Sequence, residues 1–294
     1  MKCFHHGDAD GKCAAFWVSE RFPHMTANDF ILIDYGMDID WFSKFEKDEP
    51  IIIVDFSFEP EDMRKILTKT TNVTWIDHHK SAIEKYKDFE TEIKGLRYDG
   101  IAGCMLTWAY YNKMNDGRYP FDPKYCTEAP WMTKYIADHD VWKYEFGDET
   151  AHFKLGLDAI KNTDPTNPIW TILREITEVR RVIKEGAIIQ RYRDSIGERA
   201  CERYGFEYDF NGVKGFVLNN VFGGSEWFVD LVKEYDVVCA FHYMGKDKLF
   251  EYSLYSEKDY IDCASLVQKI FGPESGGHKG AAGGVSKELL FTKQ

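Results

Sequence analysis

The sequence has no excess of basic residues. Its 37 Lys and Arg face 49 Asp and Glu, for a net charge of −12. A duplex DNA binder needs a basic face against the phosphates, so no duplex DNA partner is expected. An acidic enzyme of phosphate chemistry stays open if metal cations supply the positive charge. No apolar run approaches the roughly 18 residues of a transmembrane helix, so no membrane partner is expected either. The stretch Met1-Lys2-Cys3-Phe4-His5-His6 contains no apolar signal segment. There is no Cys-x-x-Cys pair. Seven cysteines scatter from Cys3 to Cys263, which reads as reduced thiols in a cytoplasmic protein. Internal repeats and low-complexity tracts are absent too. What is present is ordinary for a folded protein: 294 residues, 44% apolar and 29% charged. That length is enough for two domains.

Short β-rich runs alternate with helical patterns in the first half. Residues 1–6, 30–33, 51–54 and 73–76 read as strands. Residues 11–22, 60–70, 102–114 and 129–142 read as helices. The run Ile51-Ile52-Ile53-Val54 is apolar throughout, as in a strand buried on both faces. The fold class expected is α/β, with a doubly wound, mostly parallel sheet in the N-terminal domain. Thr163-Asp164-Pro165-Thr166-Asn167-Pro168 breaks the pattern. The expected division is a domain at 1–168, a long connecting helix at 169–204 and a smaller α/β domain at 205–294. In the last, 215–221, 237–242 and 250–255 read as strands, 263–271 as a helix, and 275–284 as a glycine-rich stretch whose plainest reading is a flexible loop. Most of the aromatic residues, Trp75, Trp108, Trp131, Trp142, Trp170 and Trp227 among them, are expected in the core or at a domain interface, with base stacking as the alternative.

Four clusters of Asp and His carry the chemistry. They are His6-Gly7-Asp8-Ala9-Asp10-Gly11, Asp55, Asp77-His78-His79 and Asp138-His139-Asp140. Three of them follow predicted strands, at the edge where open α/β sheets hold their ligands. In extended chain, residues two apart share a face, so His6, Asp8 and Asp10 would converge while His5 points away. Packed carboxylates repel and take up protons unless a cation sits among them. Carboxylate with imidazole suits Mn²⁺, Fe²⁺, Zn²⁺ or Mg²⁺, and the lack of thiolate speaks against structural zinc. The clusters offer more ligands than one ion needs, which points to two metals sharing a bridging carboxylate. Asp55, alone between the other clusters, suits the bridge. Two metals would serve an in-line phosphoryl displacement by hydroxide.

Trp75-Ile76-Asp77-His78-His79-Lys80 resembles the signature of the DHH phosphoesterases, a family with nano-RNase and RecJ-like members. His6-x-Asp8-x-Asp10-Gly11, Ile53-Val54-Asp55 and Ile136-Ala137-Asp138 resemble its other motifs, in family order. Gly276-Gly277-His278-Lys279-Gly280-Ala281-Ala282-Gly283 is similar to the GGHxxAAG signature of the DHH-associated substrate-binding domain. The resemblance implies roles. His6, Asp8 and Asp55 would hold one metal; Asp10, Asp55, His78 and Asp138 the other. His79 would sit beside the reacting phosphate. Gly276, Gly277, His278, Lys279 and Gly280 would grip substrate phosphate across an interdomain cleft. Glycine permits that grip because backbone N–H groups can approach an anion closely. The cofactors implied are two divalent ions, Mn²⁺ first, with Mg²⁺, Fe²⁺ or Co²⁺ as alternatives.

Two departures stand out. Many relatives place the first histidine four residues before the first aspartate. Here Phe4 stands there, so His6 is the ligand expected and His5 the fallback. Many members that degrade oligonucleotides have an arginine in a strand before the glycine signature, where this chain reads Ser253-Leu254-Tyr255-Ser256. The missing cation favours short substrates, with Lys279, Arg97 or a base stacked on Tyr255 as compensation. Residues two apart on a helix point about 200° apart, so only one of Asp138 and Asp140 can face an ion. The resemblance picks Asp138 and leaves Asp140 as a cap or partner to a cation.

The function expected is a two-metal phosphodiesterase or exonuclease acting on short single-stranded oligonucleotides or cyclic dinucleotides, with a homodimer open. The alternatives are an exopolyphosphatase or pyrophosphatase-like enzyme and a non-catalytic nucleotide-binding module.

Overall fold

The computed structural model describes residues 1–160, 163–221, 224–228 and 230–292. The chain divides into two compact units, Met1–Ile189 and Gln190–Gln294.

The first unit is built on five strands: β1 (Lys2–His5), β2 (Phe30–Leu32), β3 (Ile51–Val54), β4 (Val73–Asp77) and β5 (Lys94–Arg97). They pair in parallel in the order β2-β1-β3-β4-β5. The intervening helices are α1 (Ala9–Arg21), α2 (Pro60–Lys69) and α3 (Lys80–Lys85). They are followed by α4 (Gly103–Asn112), α5 (Trp131–Asp140) and α6 (Asp148–Asp158). Side-chain alternation along the strands explains the layering. Cys3, Ile52, Val54, Ile76 and Leu96 join one apolar cluster with Ala14 and Val18 of α1, Leu106 of α4, Ile136 of α5 and Phe153 of α6. Phe4, Ile51, Ile53, Val73 and Trp75 join a second cluster with Met63 and Ile66 of α2. Helices thus cover both faces, as the expected doubly wound sheet requires.

β5 escapes the sequence pattern because Lys94-Gly95-Leu96-Arg97 has one apolar residue and no alternation. Its glycine has a specific cause: a Cβ on Gly95 would lie 1.8 Å from the Trp75 carbonyl oxygen. The helix expected over 169–204 is interrupted. α7 (Ile169–Ile172) ends in a tight turn, with Arg174 N–H donating to Thr171 O and Glu175 N–H to Ile172 O. α8 (Ile176–Tyr204) follows, and the division between the units falls within it.

The second unit holds β6 (Phe206–Asp209), β7 (Lys214–Asn219), α9 (Leu231–Glu234), β8 (Val237–Met244) and β9 (Leu249–Tyr255). α10 (Cys263–Phe271), β10 (Gly276–His278) and β11 (Ala281–Ser286) complete it. The sheet order is β10-β11-β9-β8-β7-β6; only β7 and β8 run parallel. The glycine-rich stretch is not a flexible loop but the hairpin β10–β11, with Gly277 opposite Ala282 and His278 opposite Ala281. A Cβ on Gly277 would lie 2.6 Å from Ala281 O, so this close strand approach needs glycine. The turn is tied down as well: Ser256 N–H donates to Gly280 O and Cys263 N–H to Lys279 O. Among the described residues no helix is long and apolar enough to cross a membrane.

Candidate metal centre at the carboxyl edge of the parallel sheet

The strand order 2-1-3-4-5 reverses direction between β1 and β3. Open α/β sheets bind ligands in the crevice at that reversal, beyond the carboxyl ends of the strands. His6 follows β1 there, Asp55 follows β3, and Asp77 closes β4 ahead of His78 and His79. Asp8 caps α1 by accepting from Gly11 N–H at 2.8 Å. Asp10, in the first turn of α1, reaches the start of α4 and accepts from Gly103 N–H at 2.7 Å and Cys104 N–H at 2.9 Å. That helix start offers unpaired N–H groups to an anion, which fixes the carboxylate. Gly103 leaves the room: a Cβ there would lie 2.7 Å from Asp55 Oδ1 and 3.0 Å from Asp10 Oδ2.

Two imidazoles face this carboxylate group. His6 Nδ1 lies 2.9 Å from Asp8 Oδ2 and 3.7 Å from Asp55 Oδ2. His78 Nε2 lies 3.2 Å from Asp55 Oδ1, 3.4 Å from Asp140 Oδ2 and 3.8 Å from Asp10 Oδ2. These atoms converge at ion-pair distances. Among the described residues, His6 Nδ1, both Asp55 carboxylate oxygens and Asp140 Oδ2 are buried and have no hydrogen-bond partner. Buried polar atoms left in this way are costly and call for an ion or water. His6, Asp8 and Asp55 form one set of ligand atoms within 4.8 Å of one another, and Asp10, His78 and Asp140 form another. Asp55 lies at 3.2 Å from the second set as well as in the first.

The charges agree. Burial holds the Asp55 carboxyl up to about 7, with the Asp8 charge adding to it. Burial and the Asp10 charge bring Asp140 to about 7. Burial and the Asp55 charge push Asp10 well above the usual carboxylate range. In the other direction, Asp55 and Asp8 hold the His6 imidazole up to about 10. Divalent cations relieve such crowding, and an oxygen–imidazole donor set without thiolate fits Mn²⁺, Mg²⁺ or Fe²⁺.

His79 stands apart. Its Nδ1 lies 2.7 Å from Asp77 Oδ1, and Ser57 Oγ donates to the other Asp77 oxygen. Asp77 also accepts from His78 N–H at 2.8 Å. The Asp77 partner holds His79 up to about 9.

Several known proteins resemble this chain. A pGpG-specific phosphodiesterase from Vibrio cholerae superposes with a TM-score of 0.56 at 12% identity, over 97% of this chain and 93% of that one. RecJ from Thermus thermophilus, solved in complex with Mn²⁺, superposes with a TM-score of 0.50 at 13% identity, over 99% of this chain and 50% of that one. At these identities the likeness shows a shared fold. The uncharacterized protein R106 of Acanthamoeba polyphaga mimivirus is 24% identical over 258 residues, 84% of this chain. The chain spans 56% of that curated relative's length. No protein-family model matches.

Within this fold, the sequence expectations meet the structure unevenly. His6, Asp8, Asp10, Asp55 and His78 come together, with His79 beside them. His5 is buried in β1, with its Nδ1 2.8 Å from His6 O. The convergence does not arise from strand parity, because Asp8 and Asp10 belong to the cap and first turn of α1. Asp138 needs correction. Its carboxylate accepts from Glu145 N–H at 2.9 Å, Phe146 N–H at 3.3 Å and Thr150 Oγ, and is spent on that loop. Asp140, the last residue of α5, is the one that reaches His78. Only one of the pair can face the centre, and helix phase selects the later one.

Sequence reasoning missed Asp34 and Ser57. Asp34 lies 3.2 Å from His6 Nε2 and accepts from Gly7 N–H. Both residues stand just past strand ends, and that position was the available signal. Gly276, Gly277, His278, Lys279 and Gly280 are all exposed on the hairpin. Tyr255 packs in part against the apolar cluster around Phe216 and Leu218.

Proposed function

We propose that this chain is a two-metal phosphodiesterase acting on small nucleotides, such as short single-stranded oligonucleotides or cyclic dinucleotides. The observation that carries the reading is Asp55, whose two buried oxygens lack hydrogen-bond partners and face His6 on one side and His78 on the other. His6, Asp8 and Asp55 would hold one ion; Asp10, Asp55, His78 and Asp140 the other. When bound, two divalent ions, Mn²⁺ first among them, stabilise both oxygens of an in-line displacement and lower the pKa of water.

The chain's own residues supply the rest. Asp10 stays in place through its two bonds to the start of α4. Asp34 beside His6 Nε2 would fix that ring's tautomer, as a carboxylate behind a ligand histidine does. Asp77 takes the Nδ1 side of His79 and leaves Nε2–H to donate to a substrate phosphate oxygen. Residues 205–294 are the substrate-binding part in this reading, with 169–204 as the connection. His278, Lys279 and the free backbone of the hairpin edge serve as its phosphate grip. The acidic composition and the lack of a strand arginine at Tyr255 favour short substrates over long ones.

Turnover with Mn²⁺ should be measured on a dinucleotide, a cyclic dinucleotide, a 20-mer and polyphosphate. Faster turnover per end on the small diesters than on the 20-mer is expected. Cleavage of polyphosphate with no cleavage of any diester would overturn the reading.

A further inference from the structure

We propose that Trp142, with Tyr144 and His139, is a stacking platform for one nucleobase of the substrate at the rim of the carboxylate cluster. The inference rests on the reading of that cluster as a nucleotide phosphodiesterase site and names what holds the base.

Trp142 is 76% exposed. It lies two residues past Asp140, which reaches His78 at 3.4 Å. Its ring centroid is 5.9 Å from both His139 and Tyr144, and those two are 5.9 Å apart. The three rings form one aromatic cluster, tilted or edge-on to one another, rather than a stray side chain. The backbone that presents it is strained: Trp142 has φ +54° and Tyr144 φ +52°. Bulky residues avoid that left-handed region unless the surroundings impose it.

The surroundings here are Asp138. Its carboxylate holds Glu145 and Phe146 N–H, and its carbonyl accepts Lys143 N–H at 3.1 Å. A buried carboxylate therefore pins a turn that holds an indole out in water. Lys143 and Glu145, both exposed, flank it. An apolar surface so small and so bounded by charge suits a flat ring better than a protein partner. A nucleobase offers such a ring, and base–aromatic stacking tolerates any base. Tyr255, offered by the sequence beside Lys279 and Arg97 as a compensation, packs in part against an apolar cluster, whereas the Trp142 ring is exposed.

The test compares wild type, Trp142→Ala and Trp142→Phe on a dinucleotide and on its abasic counterpart with the same phosphodiester. Trp142→Ala should raise KM for the dinucleotide by about 5- to 100-fold, the range for one lost stack. Its kcat and its KM for the abasic diester should stay near wild type. Trp142→Phe keeps a ring and should recover most of the loss, which also guards against a misfolded Ala variant. Separately, adenosine should quench the fluorescence of wild type but not of Trp142→Phe. Hydrolysis of the dinucleotide with an unchanged KM in Trp142→Ala overturns the platform and leaves the phosphodiesterase reading intact. Equal KM increases on both substrates overturn it too. Trp142-dependent quenching without diester hydrolysis supports the platform and counts against the activity.

Discussion

The two units handle polar chemistry in opposite ways. In the first, Asp10, Asp55 and Asp77 are buried at the end of a parallel sheet; backbone N–H groups fix Asp10 and Asp77, while the Asp55 oxygens have no hydrogen-bond partner. In the second, Gly276 to Gly280 stand in water on an edge hairpin. Buried carboxylates repel strongly, so the site needs a cation and each ligand matters greatly. Exposed donors are solvated when free, and each contributes little until an anion arrives. Substitutions should therefore have large effects in the first unit and small ones in the second.

The largest effect should come from Asp55→Ala, which removes a ligand from both proposed ions. Turnover should fall by several orders of magnitude, because two-metal stabilisation is worth several kcal/mol. A variant that keeps a tenth of wild-type turnover at saturating Mn²⁺ would break the contrast at its root.

The two aspartates of α5 sharpen it further. Asp140→Ala should weaken Mn²⁺ affinity by about 10- to 100-fold, as loss of a ligand-shell group does. Asp138→Ala should leave affinity closer to wild type but cost about 2–4 kcal/mol of stability, since it frees buried donors. Paired calorimetric titrations and denaturant melts measure both. The reverse pattern would restore Asp138 to the centre.

How far the sequence alone reaches is visible in that same pair. The apolar runs ending in Asp55 and Asp77 mark buried strands and their carboxyl ends, because such strands have no solvent face to interrupt them. Helix geometry states that Asp138 and Asp140 cannot share an ion. It does not give the phase of α5, which depends on packing against α4 and α6. Strand parity predicts that Asp8 and Asp10 share a face, but a cap and a first helical turn bring them together. β5 and the glycine hairpin were missed because glycine weakens a strand pattern while serving a close approach.

In the second unit, His278→Ala should raise KM for a dinucleotide by about tenfold, the worth of one charge-assisted contact. Mn²⁺ affinity and melting temperature should not move. A loss of kcat beyond a hundredfold would place His278 in the chemistry and erase the contrast.

The smallest effect concerns pH without metal. Asp55 and Asp140 have folded-state pKa values of about 7, above the unfolded value near 4. Groups raised in this way give stability that is complete below pH 4 and lost as pH rises through 7. In EDTA, the melting temperature should fall by a few degrees from pH 5 to pH 8. Mn²⁺ should flatten that slope. A melting temperature that rises with pH in EDTA would show the carboxylates to be ordinary.

The most direct test is the stoichiometry of Mn²⁺ binding, by titration calorimetry on wild type and Asp55→Ala. The account predicts two ions per wild-type chain and at least a hundredfold loss of affinity at both sites in the variant. A wild type that binds no ion, or a variant that binds two with unchanged affinity, would contradict it.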